Sequence, residues 1–220
     1  MPDDPFAEAR NRMVDSQVRP NRVIDPRIIG AMRRLPRERF LPANAAALAY
    51  ADQDVPLGNQ RMMPQPMAIA RLVQLAAPLP GEHALVVAAG TGYGAAILAA
   101  CGPRVTALEE DPALLAIARR ILPEVAPKVS LVSGALAAGW PSEAPYDIIL
   151  LEGAVPAIPP ALAQQLRIGT GRLVTVISSG GRTSQAVLAE ATSAGLRAQP
   201  MFDCPAPELA SLRPAPAFVF

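Results

Sequence analysis

Apolar residues recur at helical spacing through the first third of the chain and in short unbroken runs beyond it. Phe6, Met13, Val14 and Val18 fall on one stripe of a helix that stops before Pro20. Asp25-Pro26 reads as an N-cap followed by proline in the first turn, and Ile28, Ile29, Met32 and Leu35 share a face behind it until Pro36. Pro56, Gly58 and Pro64 mark a loop, and a helix is predicted over about 65–77, with Ile69, Leu72, Val73 and Leu75 available for burial. From His83 the pattern changes. Short apolar runs at 84–88, 104–108, 129–132, 148–151 and 172–177 alternate with helical stretches that open at Asp111-Pro112 and Pro159-Pro160. This alternation predicts a doubly wound, mostly parallel α/β sheet, with residues 1–80 as a helical extension and 81–220 as a Rossmann-like core in one compact unit. Residues 184–194 carry both helical composition and alternation, and Pro216–Phe220 fits a terminal strand.

Composition narrows the class of protein. A chain of 220 residues, 51% hydrophobic, can bury a full core, yet no apolar run reaches the roughly 18 residues of a membrane span. The polar, acidic N-terminus is unlike a signal peptide, so a cytoplasmic protein is expected. Twenty Lys+Arg balance 19 Asp+Glu, which leaves no basic stripe for nucleic acid. The cluster Arg33, Arg34, Arg37 and Arg39, interrupted by Glu38, reads as a solvated helix face. Cys101 and Cys204 have no metal or redox spacing and are expected as buried thiols.

The most informative segment is 84–110. An apolar run leads into Gly90-Thr91-Gly92, an alanine-rich helix follows, and a second strand delivers Glu109, 19 positions after Gly90. Glycines let the backbone turn sharply and approach a ligand, the helix start presents unpaired N–H groups, and a carboxylate at that distance suits ribose hydroxyls. Gly90, Gly92 and Ala95 satisfy the dinucleotide pattern, and the same layout serves S-adenosylmethionine. His83 stands ahead of the first strand, remote from the turn, and reads as a polar residue at a strand edge rather than a dehydrogenase's proton donor.

Several motifs point to a family. Met13–Val18 resembles the MVxxQL opening of the protein-L-isoaspartate O-methyltransferases; Pro36–Pro42 is similar to their PRExFVP and Ala49–Asp52 to their AYxD. Pro56-Leu57-Gly58 and Gln65-Pro66 bracket the family's signature loop, Gly90–Tyr93 lies in its cofactor turn, and Ala144–Asp147 with Ile158-Pro159 looks like APFD…IP. The resemblance implies a class I methyltransferase fold that uses S-adenosylmethionine to methylate abnormal aspartyl side chains in damaged proteins carrying isoaspartate. A monomer is expected, and the balanced charge and absence of a long apolar run predict no nucleic-acid or membrane partner. Gly90, Thr91, Gly92 and Glu109 would hold the cofactor, with Ala135 beside the adenine, and the loop from Gly58 to Pro66 would present the acceptor, with Gln65 as its polar contact.

The departures are as informative. The family's ExGxGxG has its acid and first glycine replaced by Val86 and Ala88, its Gly-Asp-Gly by Gly134-Ala135-Leu136, and its loop hydroxyl by Pro64. Glu152-Gly153-Ala154 stands where Thr-Ala-Ala is usual, and Glu152 reads either as a solvated loop carboxylate or as a substitute for the missing acid. Two further readings therefore stay open: a degenerate relative acting as a binding or regulatory module, and a dehydrogenase.

Overall fold

The computed structural model describes residues 4–178 and 183–213. Helix α1 (Ala7–Met13) widens into a π-helical turn over Val14–Val18, which keeps Met13, Val14 and Val18 buried. Helix α2 (Pro26–Arg34) starts where Asp25 accepts the N–H of Arg27 at 2.8 Å. The segment expected as a loop contains a β-hairpin, β1 (Val55–Gly58) and β2 (Arg61–Met63). Asn59 and Gln60, with φ of 48° and 59°, form its two-residue turn, a geometry whose twist matches that of paired strands. Helix α3 (Pro66–Leu75) completes this part.

The remaining strands form a seven-stranded sheet. They are β3 (His83–Val87), β4 (Arg104–Glu109), β5 (Val129–Ser133), β6 (Ile148–Val155), β7 (Arg172–Ile177), β8 (Gln185–Thr192) and β9 (Gly195–Asp203), in the spatial order β5-β4-β3-β6-β7-β8-β9. The first five are parallel, whereas β8 and β9 run antiparallel to their neighbours. Every residue of β3 and β6 is buried, as continuous apolar runs require in a sheet covered on both faces. Val86, Leu150 and Val174 face the N-terminal helices and α4 (Tyr93–Ala100); Leu85, Ile149 and Leu173 face Tyr146 and Leu162. Chain order reverses between β3 and β6, which opens a crevice at their C-terminal ends.

Several elements differ from the sequence reading. The stretch 184–194, which carried both signals, resolves into strand β8 (Gln185–Thr192), because pairing with β7 and β9 outweighs the helical propensity of its alanines. Helix α5 (Pro112–Val125) runs past Leu122 with Pro123 inside it, and α6 (Pro160–Gln164) ends earlier than expected. Strand β9 gave no apolar signal because most of it is exposed at the sheet edge, where Pro200 is tolerated. The predicted strand at Pro216–Phe220 lies outside the described residues. Within the arginine cluster Arg33, Arg34 and Arg39 are exposed as expected, but Arg37 is fully buried and donates to the carbonyls of Ala49 and Pro64, both at 2.8 Å. His83 begins a central strand rather than an edge, its ring tilted against that of Tyr146 at the end of the sheet opposite the turn. Both cysteines are buried, which pushes their thiols up to about 11.

Candidate functional site

Strand β3 ends at Val87, and the chain turns through Ala88, Gly90 and Gly92, all with positive φ (58°, 58° and 95°). The left-handed conformation costs glycine little but an alanine about 1–2 kcal/mol, so Ala88 holds local strain at the tightest point of the crevice. Helix α4 begins directly after Gly92, and a Cβ on that glycine would lie 2.9 Å from Leu122. Glu109 closes β4 beside this turn with no exposed surface. Its carboxylate accepts the backbone N–H groups of Gly90 (2.7 Å), Glu110 (2.9 Å) and Asp111 (3.0 Å).

The hairpin supplies the remaining donors. Arg61, at the start of β2, grips Glu109 with both ends of its guanidinium at 2.8 and 2.9 Å and reaches the carbonyl of Ala88 at 3.1 Å. Such a fork-to-carboxylate pair is among the stronger polar contacts a protein makes. The hairpin tip is fixed as well: Asn59 donates to Asp111 at 2.8 Å, while Asp111 caps α5 through Ala113 and Leu114. Leu57 lies over the turn, 3.4 Å from where a Cβ on Gly90 would be. The space left between hairpin and turn, lined by Leu57, Met62, Pro64, Ala88, Thr91 and Glu152, is about 10 Å³, room for one water.

Glu152 is the other unexpected group. It lies in β6 on the face of Leu150, whose register partner is Val86, so it stands two residues beyond the position of the absent acid on the neighbouring strand. It is buried, not a solvated loop carboxylate, and burial pushes its carboxyl up to about 8, with Arg61 and Arg37 opposing and Glu109 adding to the rise. A Cβ on Gly94 would sit 1.7 Å from its Oε1, so the carboxyl occupies the space that this glycine leaves. Glu152 Oε1, Thr91 Oγ1, Tyr93 OH and Arg37 Nη1 are all buried without a partner. Arg37 also lies over the Tyr93 ring at 4.8 Å, and Phe40 meets that ring edge-on.

The structure brings most of the sequence candidates to one crevice. Gly90, Thr91, Gly92 and Glu109 surround the turn, and Pro64 faces it from the hairpin side. Gln65 stands at the N-cap position of α3 without a side-chain capping bond, and its backbone N–H donates to Asp54 at 2.8 Å. Ala135 is exposed after β5, at the same end of the sheet as Glu109. Sequence reasoning missed Arg61 and Arg37 as parts of the site. The signal for Arg61 was an arginine inside a glycine-proline segment facing a buried acid, visible only once the hairpin is formed.

A nucleoside cofactor tests this arrangement. The donor set suits one: two glycines at the turn, a helix start, an acid at the strand end and unpartnered polar atoms aimed inward. The space does not, because ligand sites of that size need roughly 300–1,000 Å³, whereas the cavity here is about 10 Å³. Larger clefts, of about 730 and 620 Å³, lie against β8–β9 and between α2, α4 and α5, away from the turn. In this conformation the space between hairpin and turn holds no more than about one water.

Comparison with known proteins fixes the ancestry. Residues 8–199 match the model of the family described as protein-L-isoaspartate(D-aspartate) O-methyltransferase. The chain belongs to that family. This methyltransferase relative is 41% identical to the protein-L-isoaspartate O-methyltransferase of Methylorubrum populi, over 80% of this chain and 82% of that one. It is 40% identical to the enzyme of Methanoregula boonei, over 84% of each. Among solved structures, one protein-L-isoaspartate O-methyltransferase superposes with a TM-score of 0.77 at 23% identity, over 94% of this chain and 67% of that one. Another, from Plasmodium falciparum in complex with S-adenosyl-L-homocysteine, gives 0.72 at 16% identity, over 92% and 98%. These two establish the methyltransferase fold.

Proposed function

We propose that this chain is an S-adenosylmethionine-dependent O-methyltransferase acting on the carboxyl groups of L-isoaspartyl and D-aspartyl residues in damaged proteins. The observation that carries the reading is the turn at Gly90 and Gly92 beside Glu109, at the switch point of the sheet, in a chain of this family. The cofactor supplies an electrophilic methyl group. The acceptor carboxylate, with an ordinary pKa near ~4, is ionised at neutral pH and needs no general base, so the absence of a histidine or hydroxyl at the loop does not stop the reaction. What the protein contributes is positioning, an effect that can supply several kcal/mol. Gly90, Thr91, Gly92 and Glu109 would hold the cofactor, with Ala135 beside the adenine, and the segment from Gly58 to Pro66 would cover the acceptor and exclude water. We place the activity in a cytoplasmic monomer that needs neither nucleic acid nor membrane. No helix among the described residues is long and apolar enough to cross a membrane.

A second reading, a binding or regulatory module of the same fold that has lost catalysis, is favoured by Val86, Ala88, Ala135 and Pro64 and by the pairing of Glu109 with Arg61. Incubating the purified protein with methyl-labelled S-adenosylmethionine and an isoaspartyl peptide separates the two. Label in base-labile methyl ester supports the enzyme. No transfer, together with no heat on titrating millimolar S-adenosylmethionine, leaves the module.

A further inference from the structure

Arg61 holds the acid that the proposed cofactor would need, and it does so from the segment proposed to cover the acceptor. Its two Nη atoms bind both oxygens of Glu109 at 2.8 and 2.9 Å, and its side chain keeps 11% exposure while Glu109 has none. Sugar hydroxyls cannot take the outward lone pairs of this carboxylate while the guanidinium is on them. Met62 and Met63, the next residues on the strand, and Pro64 just beyond it line the cavity over the turn. A guanidinium released from Glu109 therefore stays on the segment that meets the incoming substrate.

Charge decides where it would go. An acceptor carboxylate would enter a crevice that already holds the buried carboxylate of Glu109. The cations near this crevice are Arg61, which pairs with Glu109, and Arg37, which with Arg61 faces Glu152. Arg37 is fully buried, committed to the carbonyls of Ala49 and Pro64 and stacked on Tyr93. Arg61 sits on a two-stranded hairpin, with a long side chain and a planar fork that matches a carboxylate. Pro64, in the place of the family's hydroxyl, offers no donor of its own.

We propose that Arg61 exchanges partners during the reaction cycle: it closes the nucleoside site by pairing with Glu109, and once sugar hydroxyls take Glu109 it becomes the acceptor-binding cation. The proposal rests on the reading given under Proposed function, and it makes binding ordered, nucleoside first and acceptor second. Removing the guanidinium then acts in opposite directions on the two ligands, which a structural role would not do.

Isothermal titration of the wild type, Arg61→Gln and Arg61→Lys tests it, with thermal melts to establish that each variant is folded. The probes are S-adenosylhomocysteine alone, then an isoaspartyl peptide in excess S-adenosylhomocysteine. Arg61→Gln is expected to bind the nucleoside roughly tenfold or more tightly, because no charged pair has to be broken, and the peptide roughly tenfold or more weakly. Arg61→Lys, which keeps the charge and loses the fork, tightens the nucleoside with a smaller loss for the peptide, and it serves alone if the glutamine variant fails to fold. Measurable nucleoside binding that neither variant tightens, or two affinities moving in the same direction, overturns the exchange and leaves the methyltransferase reading standing. Absence of nucleoside binding in the wild type and in both variants overturns both.

Discussion

Glu152 makes stability fall with pH in a window where most proteins gain or hold it. Its carboxyl is pushed up to about 8 from 4.5, chiefly by burial, with Arg61 and Arg37 too little to offset the desolvation. Between these values the unfolded chain has released the proton and the folded chain still binds it. Stability therefore drops by ~1.4 kcal/mol for each pH unit crossed, fully present below pH 4.5 and lost by pH 8. The whole step comes to ~3–5 kcal/mol, a large share of the 5–15 kcal/mol that separates most folded and unfolded domains. Glu152→Gln keeps the shape and removes the titration. Urea denaturation of both proteins from pH 5 to pH 8.5 isolates this group, because every other ionisable residue cancels in the difference. The variant is expected to match the wild type within about 1 kcal/mol at pH 5 and to exceed it by ~3–5 kcal/mol at pH 8.5. Parallel profiles across the range would refute the claim that Glu152 is buried as a neutral acid.

Four further outcomes follow from the same geometry. Gly94→Ala should cost about 1–3 kcal/mol, because its Cβ lands 1.7 Å from Glu152 Oε1; in a Glu152→Ala background most of that cost should vanish, and strict additivity in the double-mutant cycle contradicts the shared space. Ala88→Gly relieves a left-handed residue at φ 58°, and after the extra freedom it gives the unfolded chain it should gain about 0.5–1 kcal/mol in a urea melt. Arg37→Ala strands the carbonyls of Ala49 and Pro64 in the core and opens a cavity; a loss of about 3–5 kcal/mol is expected, and a melting temperature within a degree or two of wild type rules it out. Val86→Glu with Ala88→Gly restores the family's acid and first glycine, and S-adenosylhomocysteine affinity measured by titration should rise roughly tenfold; an unchanged value contradicts a weakened cofactor site.

The sequence alone determined the frame of this molecule, because its signals are local and periodic. Unbroken apolar runs such as Ile148–Leu151 are buried in any parallel sheet with both faces covered, and Asp25-Pro26 and Asp111-Pro112 carry their capping chemistry within a few residues. The turn at Gly90 and Gly92 and the acid 19 positions later were likewise readable, because the strand–helix–strand unit brings them together by connectivity. The ambiguous stretch at 184–194 was not readable: alternation and helical composition coexist there, and only the exposed edge of β7 made it a strand. The site's charges lay equally out of reach. Arg61 is 48 positions from Glu109 and Arg37 is 27 from Pro64, so nothing along the chain announces either contact. Whether a carboxylate is solvated, paired or held neutral depends on the dielectric and the neighbours around it, and these exist only after distant segments have packed.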